Sequence, residues 1–410
     1  MTTVWTKHIT KWLQIGISKG LFDKISRIGK ILLKSIDRVV QTMKVKFYLL
    51  LICFLVLAGI SVAQVNKNDD DEVIRVNTQL IDVPIVVADK TGRPLLNLKP
   101  ANFIIYEDGK KQDIADFATT SAPFEVALLL DTSGSTRADL QLIQRSAETF
   151  IESLRAGDRV SIVAYRSEKI NNKERGISEV LQDLTDRRDV LNNSLAEVRT
   201  SNGTPYYDSL IQVVQKIFNQ KPPDQFRGRR ALVALTDGVD SNSSAEFEAA
   251  KALLGKAGII CYFIQVDTRD YFENNVLGDC GSSLWFSRAQ IQRYYDKFYP
   301  RAKMEKIFDF CKLGQFERLD ISKKLYKLAD AEMNELSRAS GGGVFPIADL
   351  RGAKDAFDKV AQEIGTKYSL GYYSDNEARD GSFRKIRVEL KGLPAGTTVR
   401  AREGYNAPKN

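Results

Sequence analysis

The stretch EVALLLDTSGS, residues 125–135, indicates how this chain is built. After Glu125 it is an apolar run of the kind that forms a strand buried on both faces of a parallel sheet. Such a strand delivers the residues that follow it to the end of the sheet. Here these are Asp131, Ser133 and Ser135, at alternate positions, and a hard cation prefers oxygen ligands. The stretch therefore predicts a cation site at the end of a buried strand.

Two further ligands are expected far downstream. Thr204 lies in SNGTPYYDSL, where Asn202 and Gly203 predict the turn that presents it, and Asp237 follows the apolar run ALVALT. Together with the first three residues they supply all but one of the six oxygens that Mg²⁺ requires. The alternative is that these Asp and Ser residues only cap helices. Neighbouring polar residues are expected to be structural or to lie at the rim: Tyr207, Asp208 and Asp240.

From Pro123 onward, strand patterns alternate with helix patterns. This order predicts an α/β domain over 122–366, with a doubly wound, mostly parallel sheet and helices on both faces. The predicted strands are 125–131, 158–165, 230–236, 259–266 and 342–346. The predicted helices are 138–154, 186–199, 206–219, 245–257, 322–340 and 350–364.

Strand patterns without helices lie on either side of this domain. Residues 73–118 predict a small all-β unit, and residues 367–407 return to strands at 368–373, 383–390 and 397–402. A unit of about 50 residues buries too little surface to be stable by itself. We therefore expect the two segments to pack together as one all-β unit into which the α/β domain is inserted.

The segment 267–320 is longer than an ordinary connection in this kind of fold and is rich in aromatic residues. The strand before it is expected to run parallel to the one before Asp131, so the segment should leave the sheet at the edge that carries the cation site. Two interpretations stay open. The aromatic residues form the core of a self-packed insertion, or part of the insertion borders the site and selects a partner.

Histidine and cysteine usage excludes several kinds of site. The only histidine is His8, which removes Ser-His-Asp and Cys-His catalysis and histidine metal sites from the main body. Cys261, Cys280 and Cys311 are too widely spaced for a zinc-binding Cys pair. If the chain is exported, a disulfide between Cys280 and Cys311 is possible, and the alternative is three free buried thiols.

The basic character of the chain belongs to its beginning. The net charge is +8, and residues 1–64 hold ten Lys and Arg against two Asp and Glu. The rest of the chain therefore has 50 of the 60 basic and 50 of the 52 acidic residues, and is neutral. A neutral body offers no general attraction to phosphate backbones, so we expect no nucleic-acid partner.

Residues 43–63 have the three parts of a secretory signal peptide: lysines, an apolar run from Phe47 to Ile60, and small residues that permit cleavage after Ala63. We expect an exported protein that is periplasmic, at the cell surface or secreted. The alternative is an inner-membrane anchor formed by residues 47–63, which would be the only contact with a membrane. Residues 1–42 are interpreted as a basic amphipathic extension or as a start-site artefact.

The five predicted ligands resemble the metal-ion-dependent adhesion site of the von Willebrand factor type A domain, with Asp131-x-Ser133-x-Ser135, Thr204, and Asp237 in a TDG turn. The resemblance implies that the three hydroxyls contact the metal and that the two carboxylates act mainly through water. The flanking segments, DKTGRPLLNLKPANFIIYEDGKKQDIADFA and YSLGYYS with the strands that follow, resemble exported type A-related proteins of acidobacteria. The 267–320 insertion departs from the family core.

These observations predict an exported, adhesion-type protein-binding module of a bacterial envelope. Mg²⁺ or Mn²⁺, with Ca²⁺ as a further candidate, would accept a carboxylate from an acidic side chain of a partner protein. Two alternatives are a metal-dependent hydrolase and an envelope scaffold whose metal is purely structural. We expect no enzymatic activity, because the main body lacks histidine and both carboxylates are committed to the ion.

Overall fold

The computed structural model describes residues 80–119, 122–134, 139–170, 173–226, 229–281, 285–301 and 306–409. The predicted extension, signal peptide and alternative anchor lie outside the described residues, as does Ser135. Within the described ranges, no helix is both long and apolar enough to cross a membrane. All described residues belong to one compact unit.

The described strands, in chain order, are β1 (Leu80–Ala88), β2 (Phe103–Glu107), β3 (Lys110–Gln112), β4 (Ile114–Ala118), β5 (Glu125–Leu130), β6 (Arg159–Ile170), β7 (Lys173–Thr185), β8 (Arg230–Thr236), β9 (Ile260–Val266), β10 (Gly343–Ile347), β11 (Tyr368–Tyr373), β12 (Phe383–Leu390), β13 (Thr398–Ala401) and β14 (Gly404–Asn406). The described α-helices are α1 (Leu140–Ser153), α2 (Arg188–Ala196), α3 (Tyr206–Gln212), α4 (Phe247–Ala257), α5 (Arg269–Val276), α6 (Arg288–Phe298), α7 (Gln315–Ser340) and α8 (Ala353–Gly365). A π-helical turn, Val213–Ile217, extends α3.

The central sheet has six strands in the order β10-β9-β8-β5-β6-β7. Neighbouring strands from β10 to β6 pair in parallel, and β7 is antiparallel to β6 at the edge. Every residue of β5 and β8 is buried. Helices α1, α2 and α8 contribute to the core on one face, and α3, α4 and α7 to the core on the other. The predicted doubly wound α/β fold is confirmed.

Glu125 is the one charged residue in the apolar run of β5, and it is buried. Arg230 donates from Nε to its Oε2 at 2.8 Å, and Arg159 donates to its Oε1 at 2.9 Å. Because both carboxylate oxygens are paired, the charge is compensated at the amino end of the sheet. The opposite end of β5 is left for Asp131 and the loop that follows it.

The strands from the two ends of the chain form two further antiparallel sheets, in the orders β13-β1-β11-β4 and β14-β12-β2-β3. In each sheet a strand from the N-terminal segment pairs with one from the C-terminal segment: β1 with β11, and β2 with β12. Residues of both sheets share one hydrophobic core, with Val83, Ile105, Leu370 and Ile386 among its members. The all-β unit built from both ends of the chain is thus confirmed.

The structure adds elements that the sequence patterns did not indicate. Strand β7 was not predicted: it pairs with β6 on one side only, so its sequence, KERGISEVLQDLT, lacks a long apolar run. Helix α7 begins at Gln315 and not at 322, because its first turns pack within the insertion. The short strand β14 was also missed, since it depends on pairing with β12.

Candidate metal centre

Three loops meet at the carboxyl edge of the central sheet: the loop after β5, the loop before α3 and the loop after β8. Ser201 donates its backbone N–H to the carbonyl oxygen of Thr132 at 2.8 Å, which joins the first two loops. Thr204 donates its N–H to Ser241 Oγ at 2.8 Å and accepts the Ser241 N–H at 3.0 Å, which joins the second to the third. Hydrogen bonds therefore bring together the loops that carry Asp131, Thr204 and Asp237.

Asp131 is only 1% exposed, and hydrogen bonds hold its carboxylate on both sides. The Ser133 N–H donates to Oδ1 at 3.0 Å, and the Thr236 hydroxyl donates to Oδ2 at 2.7 Å. Burial raises the pKa of the Asp131 carboxyl, and the Ser133 and Thr236 donors counteract that effect. A carboxylate buried next to these neutral donors is well suited to a nearby cation.

Asp237 is held in the same way and is 5% exposed. The Val239 N–H donates to its Oδ1 at 2.9 Å, and the Thr268 hydroxyl donates to its Oδ2 at 2.7 Å. The Tyr326 hydroxyl lies 2.6 Å from Thr268 Oγ1. Because the only hydroxyl proton of Thr268 is donated to Asp237, Tyr326 must donate its own hydroxyl proton to Thr268 Oγ1. The orientation of Asp237 thus depends on residues from beyond the next strand.

Ser133 and Thr204 are also buried, with 4% and 6% of their surface exposed. Within the described part of the chain, no hydrogen bond involves the Thr204 hydroxyl, so this oxygen is available as a ligand. Gly203 before it has a φ of +151°, and a Cβ there would lie 2.6 Å from Asn242 Oδ1. Only glycine fits this turn, in agreement with its predicted role of presenting Thr204.

The donor set fits a hard divalent cation and does not fit zinc or copper. Carboxylate and hydroxyl oxygens are the ligands that Mg²⁺ selects, whereas softer metals favour thiolate and imidazole. Within the described ranges, no group of three or more His, Cys, Asp or Glu side chains is placed to hold a metal ion. Any ion at this edge would therefore rely on hydroxyl ligands as much as on Asp131 and Asp237.

The three residues expected to be structural or at the rim have supporting roles around the loops. Asp208 accepts the backbone N–H groups of Ser244 and Ala245, both at 2.9 Å. Tyr207 donates to Glu332 Oε2 at 2.6 Å. Asp240 accepts the Tyr206 N–H at 2.9 Å and pairs with Arg293 at 3.1 Å.

Sequence reasoning missed four residues that position the site: Thr236, Thr268, Arg293 and Glu332. Thr236 could have been predicted from the sequence, because it directly precedes Asp237 in the TDG turn. The other three come from the segment after β9 or from α7, and their contacts with the site depend on tertiary packing. No spacing rule links them to the predicted ligands.

The 267–320 insertion has features of both interpretations offered for it. Most of its aromatic residues are buried or partly buried in a cluster of their own, of which Phe286, Tyr294, Tyr295 and Phe310 are the buried members. Cys280 forms a disulfide with Cys311. Cys261 is a free, buried thiol. The insertion also borders the candidate site: Thr268 contacts Asp237, Arg293 pairs with Asp240, and Ser287 donates to the carbonyl oxygen of Ser241.

Comparisons with known structures give a weak likeness over much of the chain. The proximal thread matrix protein 1 of the mussel byssus is 13% identical, over 67% of this chain and 51% of that chain, with a TM-score of 0.38. BatB of Bacteroides thetaiotaomicron is 13% identical, over 59% of this chain and 98% of that chain, with a TM-score of 0.34. A von Willebrand factor type A protein of Catenulispora acidiphila is 12% identical, over 82% of this chain and 75% of that chain, with a TM-score of 0.39. This chain thus spans about half of the mussel protein, and likeness at this level carries no argument about function.

The sequence itself gives the stronger match. No curated protein matches the chain at a significant level. Residues 126–239 do match the family model of the von Willebrand factor type A domain, and these residues include Asp131, Ser133, Thr204 and Asp237. The resemblance of the flanking segments to acidobacterial proteins stays a prediction. The chain therefore carries a von Willebrand factor type A domain.

Proposed function

We propose that this protein is an exported, divalent-cation-dependent protein-binding module. Von Willebrand factor type A domains commonly mediate protein–protein interactions. In the proposal, Asp131, Ser133, Ser135, Thr204 and Asp237 hold Mg²⁺ or Mn²⁺, and an acidic side chain of a partner protein supplies the remaining ligand. Of the five, Ser135 lies outside the described residues.

The observation that carries the proposal is the hydrogen-bonded junction of the three loops. Its hydrogen bonds join the loops that carry two buried carboxylates and two of the hydroxyls, and each loop is held in place by a neighbour. Such a fixed set of oxygens would lose little conformational entropy on binding an ion. The bound ion would supply a Lewis-acidic position that a carboxylate can occupy.

Ion binding is tested on the full chain with Mn²⁺, whose electron paramagnetic resonance signal falls when the ion is bound. We expect the wild type to bind Mn²⁺ and to release it when Mg²⁺ is added. Asp131→Ala should bind neither ion. The matched control is Asp267→Asn, which changes an exposed carboxylate just after β9 that is already paired with Arg269.

Partner binding is tested by retention of exported proteins on the immobilised full chain in Mg²⁺ or in chelator. Proteins retained only in Mg²⁺, and lost with Asp131→Ala but not with Asp267→Asn, would support the proposal. Retention unchanged by both chelator and Asp131→Ala would show that binding does not use the ion. Mn²⁺ binding that is equal in the wild type and in Asp131→Ala would contradict the proposed ion site.

A further inference from the structure

An exposed tryptophan lies in the part of the insertion that borders the candidate site. Trp285 is 59% exposed, although the neighbouring Phe286 and Phe310 are almost fully buried. Leaving so large an apolar surface in water is unfavourable by roughly 25 cal/mol per Å². The insertion thus buries its other central rings but leaves this one in solvent.

The ring of Trp285 is held in place. It stacks on Phe310, with ring centroids 5.9 Å apart and planes 21° from parallel, and its indole N–H donates to the carbonyl oxygen of Cys280 at 2.6 Å. Cys280 and Phe310, which both contact the ring, are linked by the Cys280–Cys311 disulfide, because Cys311 directly follows Phe310. A fixed aromatic ring loses little conformational entropy when a ligand covers it.

Trp285 is also connected to a predicted metal ligand, through Ser287 and Ser241. Ser287, two residues further on, donates its hydroxyl to the carbonyl oxygen of Ser241. Ser241 makes both backbone hydrogen bonds of Thr204 through its Oγ and its N–H. Two residues of chain span at most about 7 Å, so Trp285 lies near the loop after β8, which is itself hydrogen-bonded to the loop that presents Thr204.

We infer that Trp285 is a contact for the protein partner, next to the ion. This inference rests on the proposed function and adds the kind of partner: a segment with an acidic side chain for the ion and a large apolar or aromatic side chain, a fixed few residues away, for the ring of Trp285. Tryptophan is strongly enriched among the residues that dominate binding energy at interfaces. Through Trp285, the insertion would determine which partner proteins the ion site binds.

The test uses a displayed library of random peptides with one fixed central Asp, selected on the full chain in Mg²⁺. The wild type should enrich peptides with an aromatic or large apolar residue at a constant distance from that Asp. Trp285→Ala should weaken the selected peptides about tenfold or more, with Mn²⁺ binding unchanged. The matched control is Phe316→Ala, which removes a still more exposed ring (91%) at the start of α7 and should have little effect.

The fluorescence of Trp285 gives a second measurement that needs no truncated side chain. The chain has three tryptophans, and the other two, Trp5 and Trp12, lie in the predicted extension. Adding a selected peptide should change the emission in Mg²⁺ but not in chelator. Trp285→Phe, which keeps an aromatic ring, should lose this signal but keep most of the affinity.

Each outcome separates the inference from the proposed function. Peptides that need Mg²⁺ and Asp131 but bind equally to wild type and Trp285→Ala, or that leave the emission of Trp285 unchanged, would overturn the inference alone. An equal loss of peptide affinity with Phe316→Ala would also overturn the inference, because the effect would then not be specific to Trp285. Failure to select any Mg²⁺-dependent peptide would count against the proposed function, and the inference would fall with it.

Discussion

At the scale of single residues, the candidate site depends on side chains behind it. Arg293 lies over the ring of Tyr207, 4.8 Å from its centroid, and pairs with Asp240. Tyr207 in turn donates to Glu332, which is buried in α7. These residues connect α3 and the loop after β8 with the insertion and with α7. They are buried polar groups, so their energies depend on satisfied hydrogen bonds.

Glu332 should make the stability of the protein depend on pH. Burial raises its pKa to about 7, above its value in the unfolded chain. The folded state therefore binds more protons between about pH 4.5 and 7, and stability should fall as the pH rises through this range. Glu332→Gln should remove that dependence and raise the free energy of unfolding at pH 8 by about 1–3 kcal/mol.

Chemical denaturation at pH 5 and pH 8 measures this effect. The matched control is Glu335→Gln on the same helix, because Glu335 is partly exposed and pairs with Lys251. The control should keep the pH dependence of the wild type. If Glu332→Gln also keeps it, the burial of this carboxyl does not determine the pH response.

At the scale of elements, the insertion is a cross-linked unit attached to the sheet edge. Helices α5 and α6 and the first turns of α7 enclose its aromatic core. The Cys280–Cys311 disulfide closes a loop with a sequence separation of 31 residues. A disulfide is compatible with an exported protein.

Removing the disulfide should loosen the insertion. For a loop of this length, the entropy of the open chain predicts a loss of about 3–4 kcal/mol in the double variant Cys280→Ser, Cys311→Ser. Thermal unfolding with and without reductant measures the effect. Reductant should lower the midpoint of the wild type and leave that of the double variant unchanged; a wild type unaffected by complete reduction would show that the cross-link adds no stability.

At the scale of the whole molecule, the two ends of the chain are joined through a buried cluster in the all-β unit. Glu107 on β2 pairs with Arg384 on β12 at 3.2 Å. It also accepts hydrogen bonds from Tyr372, Ser374 and Tyr405 at 2.6 to 2.9 Å. The N-terminal and C-terminal segments therefore depend on each other, although more than 250 residues separate them in the sequence.

Glu107→Ala should destabilise the all-β unit by about 3–5 kcal/mol, because it leaves Arg384 buried without its partner. The matched control is Glu389→Ala on β12, where an exposed carboxylate pairs with Arg387 and should contribute less than about 1 kcal/mol. Denaturant unfolding gives both values. A loss for Glu107→Ala no larger than that for Glu389→Ala would show that the buried pair does not hold the two segments together. Mn²⁺ binding to folded Glu107→Ala should match that of the wild type.

The sequence by itself determined the central α/β domain and the place of the candidate site. Strands β5 and β8 are buried on both faces, so each appears as an unbroken apolar run, and the polar residues after each run must lie at the same edge of a parallel sheet. The same reasoning placed Asp131, Ser133 and Asp237, and Gly203 marked the turn before Thr204. The strand signal is local, so the sequence can carry it, whereas ligation of an ion by these residues stays a prediction.

Only the tertiary structure decided the rest. Edge strand β7 and short strand β14 form by pairing with a neighbour, and a pairing partner leaves little trace in a strand's own pattern. In the same way, the contacts of Thr268 with Asp237, of Arg293 with Asp240 and of Ser287 with Ser241 join residues that are distant in sequence. Their positions follow from how the insertion packs against the sheet edge, because the free energy of such contacts depends on burial and geometry, which no single segment specifies.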